Sequence, residues 1–262
     1  MEAQPPIWLE APLFFLNTFH YVLMLNRLLY QAVASIFWEG RRGRKLTWRH
    51  VLLQIYTVSV EALPLTALLG ALIGALLMHQ ASVVLPLYGF PDYAEWLTGL
   101  ILFGEITPLT VALIVIARSA NSTVVEIGNM KISGELHALE VLGINIDRYI
   151  LLPRIIGMTV SVVLLTICFT AAALWGGFWL AEVSELLESN FLLESLQANF
   201  TRGMLGNIVL RAFCFGLVIG TVSCLHGLRV RASPTEVPQQ ARRCVVRALS
   251  LCFVINFAIV VY

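Results

Sequence analysis

The chain has 262 residues, of which 58% are hydrophobic and only 13% charged, with a formal net charge of +1 and a mean hydropathy of +0.82. Such a composition belongs to an integral membrane protein and excludes an ordinary soluble domain. It also argues against a nucleic-acid surface, because the basic residues sit in short stretches beside apolar spans rather than on one basic face.

In chain order, the first apolar stretch is Leu13–Trp38. Asn17, His20, Arg27 and Gln31 recur on one helical stripe, with Phe14, Leu25, Leu28 and Leu29 away from it. The pattern predicts an amphipathic helix lying in the membrane interface, since an arginine at mid-span would cost about 2.5–3.5 kcal/mol. The N-terminus lacks a basic n-region and a small-residue cleavage site, so no removable signal peptide is expected. Four strong spans follow at Leu52–Met78, Leu97–Ala117, Ile150–Leu180 and Leu205–Leu225, and a shorter fifth at Val245–Val261. The first four are long enough for the ~30 Å hydrocarbon layer.

The loops between the spans sort the charges. Arg41, Arg42, Arg44, Lys45 and Arg49 precede the first span; Arg118, Lys131, Arg148 and Arg154 fall in or beside the second loop; Arg229, Arg231, Arg242, Arg243 and Arg247 fall in or beside the last. Fourteen of the 17 Lys and Arg thus fall on one side, which the positive-inside rule makes cytoplasmic. Residues 79–96, 182–204 and the C-terminus are then external. Ser122–Leu142 reads as a single polar cytoplasmic helix, weakened by Gly128 and Gly134, and Glu182–Phe200 as an external interfacial helix. No repeat or linker divides the chain, which reads as one domain over residues 1–262: an interfacial helix and basic loop over 1–50, and a five-span bundle over 51–262.

Glu61, Glu105 and Arg211 fall inside spans, where ionisable groups are costly and face a bundle interior or a cavity. The topology puts Glu105 and Arg211 at similar depth in the outer half, so they could pair with each other, or Arg211 could meet an anionic headgroup. Glu61, three residues before Pro64, reads as a packing or water-facing group. Gly70 and Gly74 form a small-xxx-small step that permits close helix approach. Cys168, Cys214, Cys224, Cys244 and Cys252 show no ligand or disulfide spacing, and the scattered histidines predict no metal site. No catalytic dyad and no phosphate-binding GxxxxGK[ST] run is present, so the chain is not expected to be an enzyme or to hydrolyse ATP itself.

Gly104-Glu105-Ile106-Thr107-Pro108-Leu109-Thr110 is followed by Ala117-Arg118-Ser119-Ala120 and Glu126-Ile127-Gly128-Asn129-Met130-Lys131. Glu135-Leu136-His137-Ala138-Leu139-Glu140-Val141-Leu142-Gly143 and Pro153-Arg154 come next, with Val60-Glu61-Ala62-Leu63-Pro64 before these blocks and His226-Gly227-Leu228 after them. Together these ordered blocks resemble the MlaE/YrbE permeases, the membrane subunits of MCE-associated ABC transporters of phospholipids and other lipids. The chain departs from that signature at Gly104, where a basic residue can stand, at Thr107 in place of Gly, at Asn121 in place of a small residue, and at His137 in place of Asp.

The resemblance implies an all-α membrane permease with an N-terminal interfacial helix, five transmembrane helices and a coupling helix between the second and third. It implies that Glu126–Gly143 is that coupling helix, with Glu126, Met130, Glu135, Leu136, Leu139 and Glu140 facing a separate cytoplasmic ATPase that binds the ATP and Mg; this chain itself would hold no cofactor. A lipid pocket is implied at Leu77, Gln80, Val84, Leu85, Tyr88, Glu105 and Ile106, with Arg211 matching a basic residue early in the fourth span. Further implied partners are a second permease copy or paralogue, an external ring of MCE-domain subunits and a small cytoplasmic accessory subunit, at the bacterial inner membrane. An ion-coupled secondary transporter using Glu61 or Glu105, and a non-transporting assembly subunit, are the rival readings of the same residues. The first lacks the paired repeats and broken helices such transporters commonly show.

Overall fold

A computed structural model describes residues 44–80, 105–183, 202–231 and 233–261, together with Tyr21, residues 23–25, 27, 28 and 30. From residue 44 onward the described residues form helices α1 (Arg44–His79), α2 (Thr107–Ile132), α3 (Glu135–Val141), α4 (Leu152–Val183), α5 (Arg202–Arg229) and α6 (Glu236–Val261). All but the short α3 contain a stretch long and apolar enough to cross a membrane, giving five candidate spans among the described residues. At about 1.5 Å per residue, the 36 residues of α1 reach roughly 54 Å, well beyond the hydrocarbon layer. The helix therefore extends past the hydrocarbon layer.

The helices are arranged around the α4–α5 pair, with α1 packed on α4 and with α2 and α6 packed on α5. In the most apolar part of α5 67% of residues are buried, against 22% in α1 and in α6, which makes α5 the most buried span and the other two the flanks. Phe215, Ile219, Val222 and Cys224 of α5 have no exposure and meet Met158, Leu165 and Phe169 of α4 in one apolar core. The outer faces of α1 (Leu52, Leu68, Leu72, Leu76) and α6 (Phe253, Val254, Phe257) stay exposed, as helix faces turned to lipid or to another apolar partner must.

Close approach of α1 and α4 depends on small residues. A Cβ at Gly74 would lie 2.0 Å from the Ala173 carbonyl oxygen, and one at Gly176 would lie 2.2 Å from that of Ala71. The step read from Gly70 and Gly74 is therefore met by a complementary run on α4. Pro64 lies within α1, and the Thr66 hydroxyl donates to the carbonyls of Ala62 and Leu63 at 3.0 and 2.9 Å beside it.

Three expected boundaries are corrected. The second span does not end at Ala117: the helix continues through a wide π turn at Ile116–Ala120 to Ile132, so Arg118 is on a helix rather than in a loop. Nothing in that stretch breaks a helix, and Gly128 is packed against Val230 and Val237. The expected single helix over Ser122–Leu142 is two. Gly134, with φ of +78° and no neighbour within 4 Å of a built Cβ, takes the left-handed conformation that ends α2 and opens α3. Finally, α6 starts at Glu236 rather than near Val245, which places Arg242, Arg243 and Arg247 on helix. Pro238 falls in its first turn, where a missing N–H is no loss, and Glu236 suits the positive end of the helix dipole.

The described residues among 21–30 are helical. Tyr21, Leu25 and Leu28 are buried in the main core while Arg27 and Tyr30 face outward. Burial pushes the Tyr21 phenol up to about 12, so its ring meets Arg229 and Arg247 as a neutral face, 5.2 and 4.4 Å from the guanidinium carbons. Asn17, His20 and Gln31 of the expected amphipathic stripe, and the whole expected external helix beyond Val183, lie outside the described residues. All five cysteines are free.

Candidate functional site

Two of the three intramembrane charges come together. Glu105, beside the start of α2, and Arg211, three turns into α5, form an ion pair with Arg211 Nη1 2.7 Å from Glu105 Oε1. Both lie towards the end of the bundle opposite the basic loops, because α2 and α5 each begin there. Two asparagines complete the node. Asn256 of α6 donates from Nδ2 to Glu105 Oε2 at 2.7 Å and accepts from Arg211 Nη1 at 3.3 Å. Asn207, one turn before Arg211, accepts from its Nε at 3.3 Å.

Three helices are thus tied by four polar side chains set in an apolar frame. The Arg211 side chain is 5% exposed and that of Glu105 35%, so the node is sealed on the guanidinium side and open on the carboxylate side. Buried ion pairs are supportable only when their remaining hydrogen-bonding capacity is met, and the two asparagines supply that here. Only the Glu105 edge is open, so an anion such as a phosphate would reach the guanidinium by displacing Glu105.

Of the other residues expected to line a lipid pocket, Leu77 and Ile106 are half-buried, Leu77 packing against the core, and Gln80 is exposed at the end of α1. Val84, Leu85 and Tyr88 lie outside the described residues. Sequence reasoning missed Asn256 and Asn207. The signal was present for the first, an amide alone in the apolar run Leu251–Val261; Asn207 stands one helical turn from Arg211.

Glu61 is not solitary either. It pairs with Arg118 across α1 and α2, and the pair lines a cleft of about 460 Å³ between α1, α2 and α4. A second pair, Arg154 to Glu126 at 2.9 Å, lies in the same cleft, and Arg154 Nη1 also donates to the Thr123 carbonyl at 3.3 Å. Glu126 further accepts from Ser122 Oγ at 3.2 Å. At the cleft mouth His50 meets Tyr149 edge-on, with ring centroids 5.1 Å apart.

The segment beyond it, from the end of α2 through α3, is anchored on one side and bare on the other. Lys131 donates to the Leu228 carbonyl, tying the end of α2 to the end of α5. Leu136 is 6% exposed and belongs to the core, while Met130 and Leu139 pack partly against it. Glu135 and Glu140 face outward, Glu135 accepting from Ser133 Oγ at 3.0 Å. The helix α3 then ends in a Schellman turn: Gly143, with φ of +74°, donates to the Glu140 carbonyl at 2.9 Å and Ile144 to that of Leu139 at 3.0 Å. That turn leaves Val141 and Leu142 74% and 73% exposed at the tip. Apolar side chains so placed, outside the membrane-crossing stretches and flanked by acids, suit contact with another protein. Sequence reasoning assigned no role to either residue.

The Permease MlaE family profile matches residues 51–262. Among curated relatives, a probable ABC transporter permease protein of Synechocystis is 24% identical over 234 residues, covering 86% of this chain and 88% of the relative. The intermembrane phospholipid transport system permease protein MlaE of Haemophilus influenzae is 25% identical over 206 residues, covering 78% of each. The chloroplastic protein Trigalactosyldiacylglycerol 1 of Arabidopsis thaliana is 22% identical over 216 residues, covering 82% of this chain and 61% of that protein.

Proposed function

The chain belongs to the MlaE permease family, and we propose that it is the membrane subunit of an ATP-driven phospholipid transporter of the bacterial inner membrane. In this reading a separate cytoplasmic ATPase binds ATP and Mg and drives the cycle. A second permease copy or paralogue completes the membrane unit, an MCE-domain ring receives or delivers lipid on the external side, and a small accessory subunit attends the ATPase. The chain does no chemistry of its own.

The observation that carries the reading is the Glu105–Arg211–Asn256 node, which joins α2, α5 and α6 near their external ends. A phospholipid needs apolar walls for its tails and a few fixed polar groups for its headgroup. The node supplies an arginine that a headgroup phosphate can share, held in place by Asn207 and Asn256.

Force would enter from the opposite end. The segment from Glu126 to Gly143 is the coupling element in this reading, with Glu135, Glu140, Val141 and Leu142 meeting the ATPase. Leu136, Leu139 and Met130 pass its movement inward to the core. The ion pairs of Glu61 with Arg118 and Glu126 with Arg154 link α1, α2 and α4 across the cleft beside it.

The chain purified from its native membrane is expected to bring an ATPase with it at stoichiometric yield, and the turnover of that ATPase is expected to change on adding phospholipid. An isolated chain with no associated ATPase, or turnover indifferent to lipid, would refute the proposal.

A further inference from the structure

At the cytoplasmic end, the turn between α5 and α6 encloses a second pocket, of about 520 Å³, whose lining includes Arg229, Arg231, Arg243 and Arg247. Glu236 is the one carboxylate in that lining, and its Oε2 is engaged by the Arg231 backbone N–H at 2.8 Å. None of the four guanidinium groups is ion-paired among the described residues. Four like charges around one hollow repel each other, and an anion between them removes that penalty.

The arginines are also shaped for a ligand. Arg229 and Arg247 lie over the Tyr21 ring. A guanidinium held by its face keeps its N–H groups, which lie in its plane, directed outward. One of them, Arg229 Nη2, reaches Met24 Sδ at 3.0 Å. A second observation points the same way. His226 lines the pocket, is 1% exposed, and has Nδ1 2.9 Å from Gln240 Oε1, yet its Nε2 is buried with no hydrogen-bond partner among the described residues. Buried polar atoms are ordinarily satisfied, so an absent partner belongs there. That nitrogen is sealed from the open hollow, so a ligand reaches it only once the side chains around it shift.

We propose that this pocket holds the phosphodiester of an anionic glycerophospholipid of the cytoplasmic leaflet, bound as a resident lipid and not as cargo. Arg243, Val246, Ser250, Val254 and Phe257 follow one another at steps of three and four along α6, and all are exposed. That lane runs from the pocket down the outer face of a candidate span, where acyl chains would lie. Free phosphate would gain nothing from it. Basic pockets at the cytoplasmic ends of membrane helices are suited to such headgroups. The site is independent of the transport reading, since it lies at the other end of α5 from Arg211.

The test uses the full chain in a neutral detergent, with dioctanoyl phosphatidylglycerol and dioctanoyl phosphatidylcholine as probes, read by native mass spectrometry. The chain should prefer the glycerol lipid. Arg231→Gln with Arg243→Gln, both exposed and neither touching Tyr21, should weaken it about ten-fold or more. Arg231→Lys with Arg243→Lys should retain most of the binding. Equal binding by the double glutamine variant would overturn the proposal. So would displacement of the lipid by an equal concentration of inorganic phosphate, or loss of the ATPase with lipid binding intact, which would make the arginines a protein contact.

Discussion

Replacing Arg211 with leucine should destabilise the folded chain by about 3 kcal/mol, the lower end of the range for breaking a buried ion pair, because Glu105 is one-third exposed. The loss has two sources. Glu105 keeps only the Asn256 amide as a described donor, and Asn207 loses the Nε proton that it accepts. Substituting both charges, Arg211→Gln with Glu105→Gln, should recover most of the stability, since the two charges leave together and the new amides can still bond to Asn256. Denaturant or thermal unfolding of the full chain in detergent measures both. A single variant no less stable than the double would show that the pair is not coupled. The double variant also separates structure from binding: folded, it should retain several-fold less anionic phospholipid, because the guanidinium that a phosphate can share has gone.

The second large effect is expected at the cytoplasmic tip. Val141→Asp with Leu142→Asp changes two side chains that are about three-quarters exposed, so the membrane bundle should fold as before. The ATPase should nevertheless be lost from the purified complex, because charged groups at the centre of an apolar protein contact are strongly disfavoured. Glu135→Lys is expected to weaken the same contact by reversing a charge at its edge. Leu136→Asp is the contrasting case: that side chain is 6% exposed within the core, and its substitution should unfold the segment itself. Stoichiometric ATPase on the tip variant would move the coupling contact elsewhere.

How much of this was legible in the sequence differs between elements. The five spans follow from hydropathy and length alone, because a membrane helix must be apolar for its whole crossing. Their ends were less legible. The boundary at Ala117 was drawn where charge begins, yet a helix needs no apolar residues to continue once outside the membrane, and Arg118 and Glu126 find partners in Glu61 and Arg154. Gly128 and Gly134 looked equivalent as helix weakeners. Packing against Val230 and Val237 separates them, and that contact joins residues about a hundred positions apart. The Glu105–Arg211 pair could be anticipated from depth, whereas Asn256 enters only once α6 is seen beside both. Arg229, Arg243 and Arg247 read as orientation signals in the sequence; their convergence on one hollow depends on the turn between α5 and α6.

The most direct test of the central claim is ATP-driven movement of a phospholipid in proteoliposomes containing the permease, its ATPase and its external partner. Fluorescent phosphatidylglycerol should leave the bilayer for the external partner on addition of ATP and Mg, or enter it by the same route, and a non-hydrolysable ATP analogue should support neither. The Glu105→Gln, Arg211→Gln variant should hydrolyse ATP yet move several-fold less lipid. ATP-independent exchange at the same rate, or lipid movement unaffected in that variant, would contradict the account.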